Sequence, residues 1–190
     1  MTLFFVGYLY LLHHPSGNIT RIPTTIVDQI VPFSMYGLPV YLSLWLYVSL
    51  PNFLIHTFAE LADYGWRVAT PCVLGLAIFY FYPTMITPNP ADWHGIESIE
   101  FLKKVDAAGN ACPSLHVAMA LYSCLWMHWR LARIRAAKWV NVINWAWCIG
   151  IIWSTMAIRQ HFFIDVLAGI LLALTTAYLT RLKSHAMRLT

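Results

Sequence analysis

"FFIDVLAGILLALTTAYLT", Phe162 to Thr180, decides how this chain is read. Its one charged residue is Asp165, about a turn from the start. An amphipathic helix on a soluble protein sets an apolar stripe against a charged face, and this segment has no charged face. At 1.5 Å per residue it is long enough to cross most of a hydrocarbon layer ~30 Å thick. A carboxylate inside such a segment is costly, so it is as a rule paired and often functional.

The same signature recurs towards the N-terminus. Trp139 to Thr155, Ser114 to Trp129, Val68 to Tyr82 and Leu38 to Phe58 are further apolar stretches. Thr2 to Leu12 is a shorter one, either a stubby tilted helix or the end of a segment begun upstream. Pro51 predicts a kink in the second stretch, and Pro71 falls in the first turn of the third, where proline is tolerated. Of 190 residues, 59% are hydrophobic and only 11% are charged. The mean hydropathy is +0.62. A soluble domain of this size needs far more charge to cover its surface. The expectation is an all-α, polytopic membrane bundle of about six transmembrane helices, one domain over residues 1–190. A very greasy soluble bundle is the alternative that the long uncharged stretches disfavour. No repeat or low-complexity tract is present, and Met1 to Leu12 lacks the basic start and small-residue cleavage site of a signal peptide.

The formal net charge of +4 comes from clustered basic residues. Arg130, Arg133, Arg135 and Lys138 lie between the fourth and fifth stretches, Arg181, Lys183 and Arg188 follow the sixth, and Arg67 precedes the third. Positive residues in short loops mark the cytoplasmic side, so the basicity reads as membrane topology and not as nucleic-acid binding. His116 opens the fourth stretch and His161 the sixth, which puts both at the non-cytoplasmic face. The polar loop Thr84 to Cys112, with Lys103 and Lys104, lies there too. Trp126, Trp129 and Trp139 flank the basic loop as interface anchors should, while Trp45, Tyr47 and Phe79 read as lipid-facing or core packing. The short loops point to a bacterial inner (plasma) membrane. Cys72, Cys112, Cys124 and Cys148 have no CxxC spacing and read as small buried hydrophobes.

The polar residues at the mouths of the fourth and sixth stretches carry the chemistry. His161 and Asp165 are four apart, one helical turn on one face. The carboxylate fixes one imidazole nitrogen and leaves the other as a nucleophile. Arg159 adds a guanidinium suited to phosphate oxygens, at a helix N-terminus that itself favours anions. The plainer role for Arg159 is snorkelling to lipid headgroups. In "PSLH", Pro113 to His116, proline starts a helix, Ser114 caps it, and His116 is placed to donate a proton to a departing oxygen.

"CPSLHVA" (Cys112 to Ala118) followed by "STMAIRQHFFIDVLAG" (Ser154 to Gly169) resembles the type 2 phosphatidic acid phosphatase superfamily of membrane enzymes. The PSLH spelling is similar to the branch that includes inositol-phosphorylceramide synthase-like proteins. "VDQIVPFSMYGLPVYLSLWLYV", Val27 to Val48, also resembles that branch's early Asp-x-x-x-Pro-Phe segment. The resemblance implies His161 as nucleophile through a phosphohistidine, Asp165 as its orienting partner and His116 as general acid. It further implies Ser114 and Ser154 at the phosphate, and no metal or organic cofactor. Two departures stand out. Thr155 fills the position where the third family motif often has arginine, and Arg159 is the nearby base that supplies the charge. The first family motif, KxxxxxxRP, is missing; "YPTMITPNP", Tyr82 to Pro90, occupies its place without a base. Lys103 or Lys104 is the substitute phosphate contact, unless both are simply solvated loop charges.

The function expected is an integral membrane lipid phosphatase acting at the outer face on a lipid phosphate. The partners implied are that lipid and the bilayer, with no nucleic acid. The first alternative is a headgroup transferase that moves a phospho-headgroup to a lipid alcohol. A transporter with a His/Asp proton relay is a more distant one, and a metal site from His116, His161 and Asp165 is another.

Overall fold

The computed structural model describes residues 2–87 and 109–184, and these are mostly helical. Helix α1 (Thr2–His13) is followed by a two-residue strand β1 (Thr20–Arg21) and a short helix α2 (Ile26–Ile30). Helices α3 (Gly37–Leu42) and α4 (Leu44–Tyr47) lead into a 3-10 helix (Leu50–Leu54). Then come α5 (Phe58–Phe81), strand β2 (Thr84–Met85), α6 (Leu115–Arg133), α7 (Lys138–Ala157) and α8 (Phe163–Leu179). Each apolar stretch of the sequence has become helix. Lys103 and Lys104, like most of the long polar loop, lie outside the described residues, as does Arg188.

Two of these stretches, Gly37–Leu54 and Lys138–Ala157, are long and apolar enough to cross a membrane, and Thr2–His13 and Phe163–Leu179 are shorter apolar helices. Helices α5 and α6 are as long but less apolar, with Arg67 in one and His116, His128 and Arg130 in the other. Length and composition among the described residues therefore give fewer clear spans than the six expected.

Helix α6 is the hub. It packs on α5, α7, α8, α4 and the 3-10 helix. Its Val117, Ala118, Ala120, Tyr122, Cys124 and Trp126 are fully buried. Trp126 lies against Tyr64 of α5 with ring centroids 4.9 Å apart, so it is a core residue and not the interface anchor expected from its place beside the basic loop. Trp139, by contrast, is exposed. Arg130 is also drawn inward: it lies in the last turn of α6, buried, its Nε donating to the Leu54 carbonyl at 3.3 Å. That carbonyl ends the 3-10 helix, where a cation is favoured. Pro71 sits in the interior of α5 and not in a first turn, because Thr57 and Glu60 form a capping box that starts the helix ten residues earlier than hydropathy alone places it.

Ring and hydrogen-bond contacts fix how the helices run. Tyr64 meets Trp126 and Gly75 meets Leu115, so α5 is antiparallel to α6. Tyr41 meets His116 while Leu54 meets Arg130, so the stretch from α3 to the 3-10 helix runs alongside α6. The Ser114 amide donates to the Asp165 carbonyl at 3.0 Å, which brings the starts of α6 and α8 together. At the far end Arg67 donates to the Thr180 carbonyl, and Tyr122 Oη lies 2.8 Å from Thr180 Oγ1. The two histidine motifs thus share one end of the bundle, and Arg67, Arg130 and Arg181 gather at the other. At the histidine end β1 pairs in parallel with β2, Thr20 opposite Thr84, and Met85 bridges to Gly109, tying the N-terminal arm to both ends of the long loop.

Candidate active site

His116 lies in the first turn of α6, started by Ser114 as N-cap: the Val117 amide donates to Ser114 Oγ at 3.3 Å. Glycine at 169 makes the seating of this turn on α8 feasible. A Cβ there would lie 2.5 Å from the Ser114 carbonyl oxygen, inside any real contact, so only glycine admits this approach. The His116 ring stacks on Tyr41, centroids 4.4 Å apart and planes 21° off parallel. Tyr41 Oη lies 3.4 Å from His116 Nδ1, and Trp45 meets the ring edge-on.

His161 is held differently from the expectation. It is not on a helix one turn before Asp165. It ends the turn between α7 and α8, just ahead of the N-cap Phe162. Helix α7 closes at Ile158, and Arg159 follows in a left-handed conformation, φ 57°. The Arg159 amide donates to Met156 O and the Gln160 amide to Thr155 O, the paired bonds of a Schellman end, and His161 N–H adds a second bond to Thr155 O at 3.1 Å. Glycine usually fills that left-handed position; arginine there is strained. The turn projects His161 back toward α6, with His116 and His161 ring centroids 6.0 Å apart.

Asp165, fully buried, is the third residue of α8. Its Oδ2 accepts from the Phe162 amide at 2.9 Å and lies 3.7 Å from His161 Nδ1. An aspartate in the first helical turn is also stabilised by the helix dipole. His161 Nδ1 and Asp165 Oδ1 are buried without a hydrogen-bond partner among the described residues. The imidazole and the carboxylate thus face each other beyond hydrogen-bonding distance, at 3.7 Å between Nδ1 and Oδ2.

Two amides at the α8 N-terminus, whose position favours an anion, are already taken by carboxylates of the chain itself. Asp165 takes the Phe162 amide, and Asp28, from α2, takes the Phe163 amide at 2.7 Å. Arg159 Nη1 donates to the Asp28 carbonyl at 2.7 Å. Ser154, also fully buried, donates its hydroxyl to Ile151 O, and Thr155 donates to Ile152 O, both within α7. The structure therefore brings His116, His161, Asp165 and Ser114 together with Arg159 at their edge, while Ser154 faces into its own helix. Lys104 lies outside the described residues.

A cavity of about 420 Å³ opens beside the histidines, lined by Phe5 of α1, Tyr41 and Trp45 of α3 and α4, Phe79 of α5, and His116 and His161. Its wall is almost wholly apolar, and the imidazoles sit on it with Asn110. Cavities of this size hold drug-sized, largely apolar groups. From sequence, Trp45 reads as lipid-facing or core packing and Asp28 only as the aspartate of the Asp-x-x-x-Pro-Phe resemblance; Tyr41 carries no signal of its own beyond lying in the same segment. Among the described residues no group of three His, Cys, Asp or Glu side chains is arranged to hold a metal ion.

This geometry defines a helical protein with two imidazoles and a carboxylate at one end of an apolar cavity. A family model described as the PAP2 superfamily matches residues 72–187, and the chain belongs to that superfamily. The resemblance carried by the PSLH and HxxxD segments therefore holds. The chain is also similar to an inositol phosphorylceramide synthase of Candida albicans (strain SC5314 / ATCC MYA-2876), 24% identical over 191 residues, covering 88% of this chain. It spans only 39% of that relative's length. No solved structure matches the chain significantly.

Proposed function

We propose that the chain is an integral membrane enzyme, one domain over residues 1–190, that transfers the phosphoryl group of a lipid phosphate through a phosphohistidine. One observation carries this: His116 and His161 lie 6.0 Å apart on the wall of an apolar cavity, with Asp165 behind His161. With Nδ1 turned to the carboxylate, Nε2 is the nitrogen that attacks phosphorus. The bond from phosphorus to the lipid oxygen breaks as His116 protonates that oxygen. Water or an alcohol then attacks the phosphohistidine, and His116 takes its proton. Asp165 holds the His161 tautomer and offsets the imidazolium charge. The charge of Arg159 and the first-turn amides of α6, capped by Ser114, stabilise the phosphate oxygens. Ser154 and Lys104 remain candidates for phosphate contact; the first would have to turn from Ile151. The cavity takes the hydrocarbon.

In this reading the apolar stretches form about six spans, and the histidine end, opposite the basic residues, faces the non-cytoplasmic side. The short loops suit a bacterial inner membrane. The alternative acceptor, a lipid alcohol in place of water, is favoured by the PSLH spelling and by the similarity to an inositol phosphorylceramide synthase. It gives a headgroup transferase by the same two steps.

The test uses detergent-purified protein in EDTA with two probe sets: phosphatidate, followed by phosphate release, and phosphatidylinositol with a fluorescent ceramide, followed by new lipid. Wild type gives product in one set and His161→Ala loses it by about a thousandfold or more, since removing a nucleophile leaves only binding and electrostatic effects. Free phosphate identifies a phosphatase; a headgroup-bearing ceramide identifies a transferase. Activity that survives in His161→Ala, or that EDTA removes, overturns the mechanism.

A further inference from the structure

The carboxylate of Asp28 is 4% exposed, and the chemistry above makes no use of it. Its contacts are unusually directed. Oδ2 accepts from the Thr25 amide at 2.7 Å and the Thr25 hydroxyl at 2.8 Å. Oδ1 accepts from the Phe163 amide at 2.7 Å, and the Asp28 carbonyl accepts from Arg159 Nη1 at 2.7 Å. Arg159 and Phe163 lie two residues before and two after His161. One residue therefore grips both ends of the turn that presents the nucleophile. A second staple lies close by, where the Ser34 amide donates to the Ala157 carbonyl at 2.9 Å.

The turn needs holding. Arg159 sits in a left-handed conformation that costs a non-glycine residue of order 1 kcal/mol or more. Phe162, the N-cap of α8, has no side-chain acceptor to give the helix start. Asp28 makes good this lack from outside the helix by accepting the Phe163 amide, and its carbonyl anchors the guanidinium of the strained residue. Thr25 in turn fixes the direction of the carboxylate.

We propose that Asp28 is a positioning residue for His161: it locks the Arg159–Phe163 turn so that the imidazole stays between Asp165 and the cavity. This rests on the proposed role of His161 as nucleophile. A displaced nucleophile costs kcat while leaving the apolar cavity, and so KM, nearly unchanged.

The experiment compares wild type, Asp28→Ala and Asp28→Asn in detergent. Carbethoxylation by diethylpyrocarbonate is followed at His161 and His128 by peptide mass spectrometry, and turnover is followed with the two probe sets above. His128, bonded to Asn141 and the Trp145 indole, is the internal control. In Asp28→Ala, His161 modification rises about tenfold, as expected for losing hydrogen bonds to a charged group, while His128 stays unchanged. In the same variant kcat per folded molecule falls about a hundredfold with KM within about threefold. Asp28→Asn keeps one acceptor oxygen for the Phe163 amide and recovers most of both, which covers the case of an Asp28→Ala that fails to fold. Equal acceleration at His161 and His128 means general loosening and overturns the proposal; so does an unchanged His161. If His161→Ala stays active, the reading of the nucleophile fails instead, and the carbethoxylation result alone decides whether Asp28 holds the turn.

Discussion

Cys112, next to the PSLH turn, shows how strongly this end of the bundle controls its groups. The half-buried thiol is pushed up to about 11, first by burial and then by the negative charge of Asp165. A thiol reacts as thiolate, so a raised value means slow alkylation at neutral pH and a rate that climbs with pH up to about 11. The displacement from 9.0 to about 11 implies alkylation by iodoacetamide at pH 8 about a hundredfold slower than that of an ordinary exposed thiol. Asp165→Asn removes the second cause and should accelerate the reaction at Cys112. A Cys112 rate already flat at pH 8 would contradict the burial. His161 could be singled out from sequence because histidine, arginine and aspartate interrupt an apolar run. The form of its turn could not, since a left-handed arginine and two amides sharing the Thr155 carbonyl leave no compositional trace.

Helices α4, α6 and α7 meet at a small polar knot in an otherwise apolar interior. Tyr47 Oη donates to Asn144 Oδ1 at 2.7 Å, and Asn144 Nδ2 donates to the Cys124 carbonyl at 3.1 Å. Polar links of this kind between helices in an apolar setting are worth about 0.6 kcal/mol each, and up to about 1.7. Asn144→Leu breaks both side-chain bonds and leaves the Tyr47 hydroxyl only the longer bond to the backbone carbonyl of residue 144, at 3.1 Å. A loss of about 1–2 kcal/mol is expected in reversible unfolding, while Asn141→Leu, whose side chain bonds to the half-buried His128, should cost less. Equal losses would show that the knot adds nothing. Hydropathy locates the long helices to within a few residues apart from the start of α5, where a capping box outweighs it; it gives no sign of the short α2, and it reads as one stretch what breaks into α3, α4 and a 3-10 helix. It did not identify which faces are buried: Trp126 reads as an interface anchor by position, yet Tyr64 of another helix encloses it. It also missed Asp28, whose partner Phe163 lies 135 positions away. A single sequence records the propensity of each segment, whereas these pairings depend on which segments meet.

The whole bundle has two chemically different ends. The start of α6, the end of α7 and the start of α8 meet at the histidines, beside the small β1–β2 pairing. The opposite end carries Arg67, Arg130, Arg133, Arg135 and Arg181, with Arg67 bonded to both Asp63 and the Thr180 carbonyl. Helices that alternate in direction, with most of the described arginines gathered at one end, are what the positive-inside rule sorts across a bilayer. Arg21 is exposed at the histidine end, and Arg135 is exposed between α6 and α7 at the basic end. A chain with Cys72→Ser and Cys112→Ser gives a background in which the remaining native thiols, Cys124 and Cys148, are buried. In sealed vesicles of that background, a membrane-impermeant maleimide should label Arg21→Cys and Arg135→Cys from opposite sides, and each fully once detergent opens the vesicle. Labelling of both from one side would mean that the apolar helices lie in or on the membrane without carrying the chain across it. The cavity would then have to receive its lipid from the same side as the basic end, and an outward-facing active site would be ruled out.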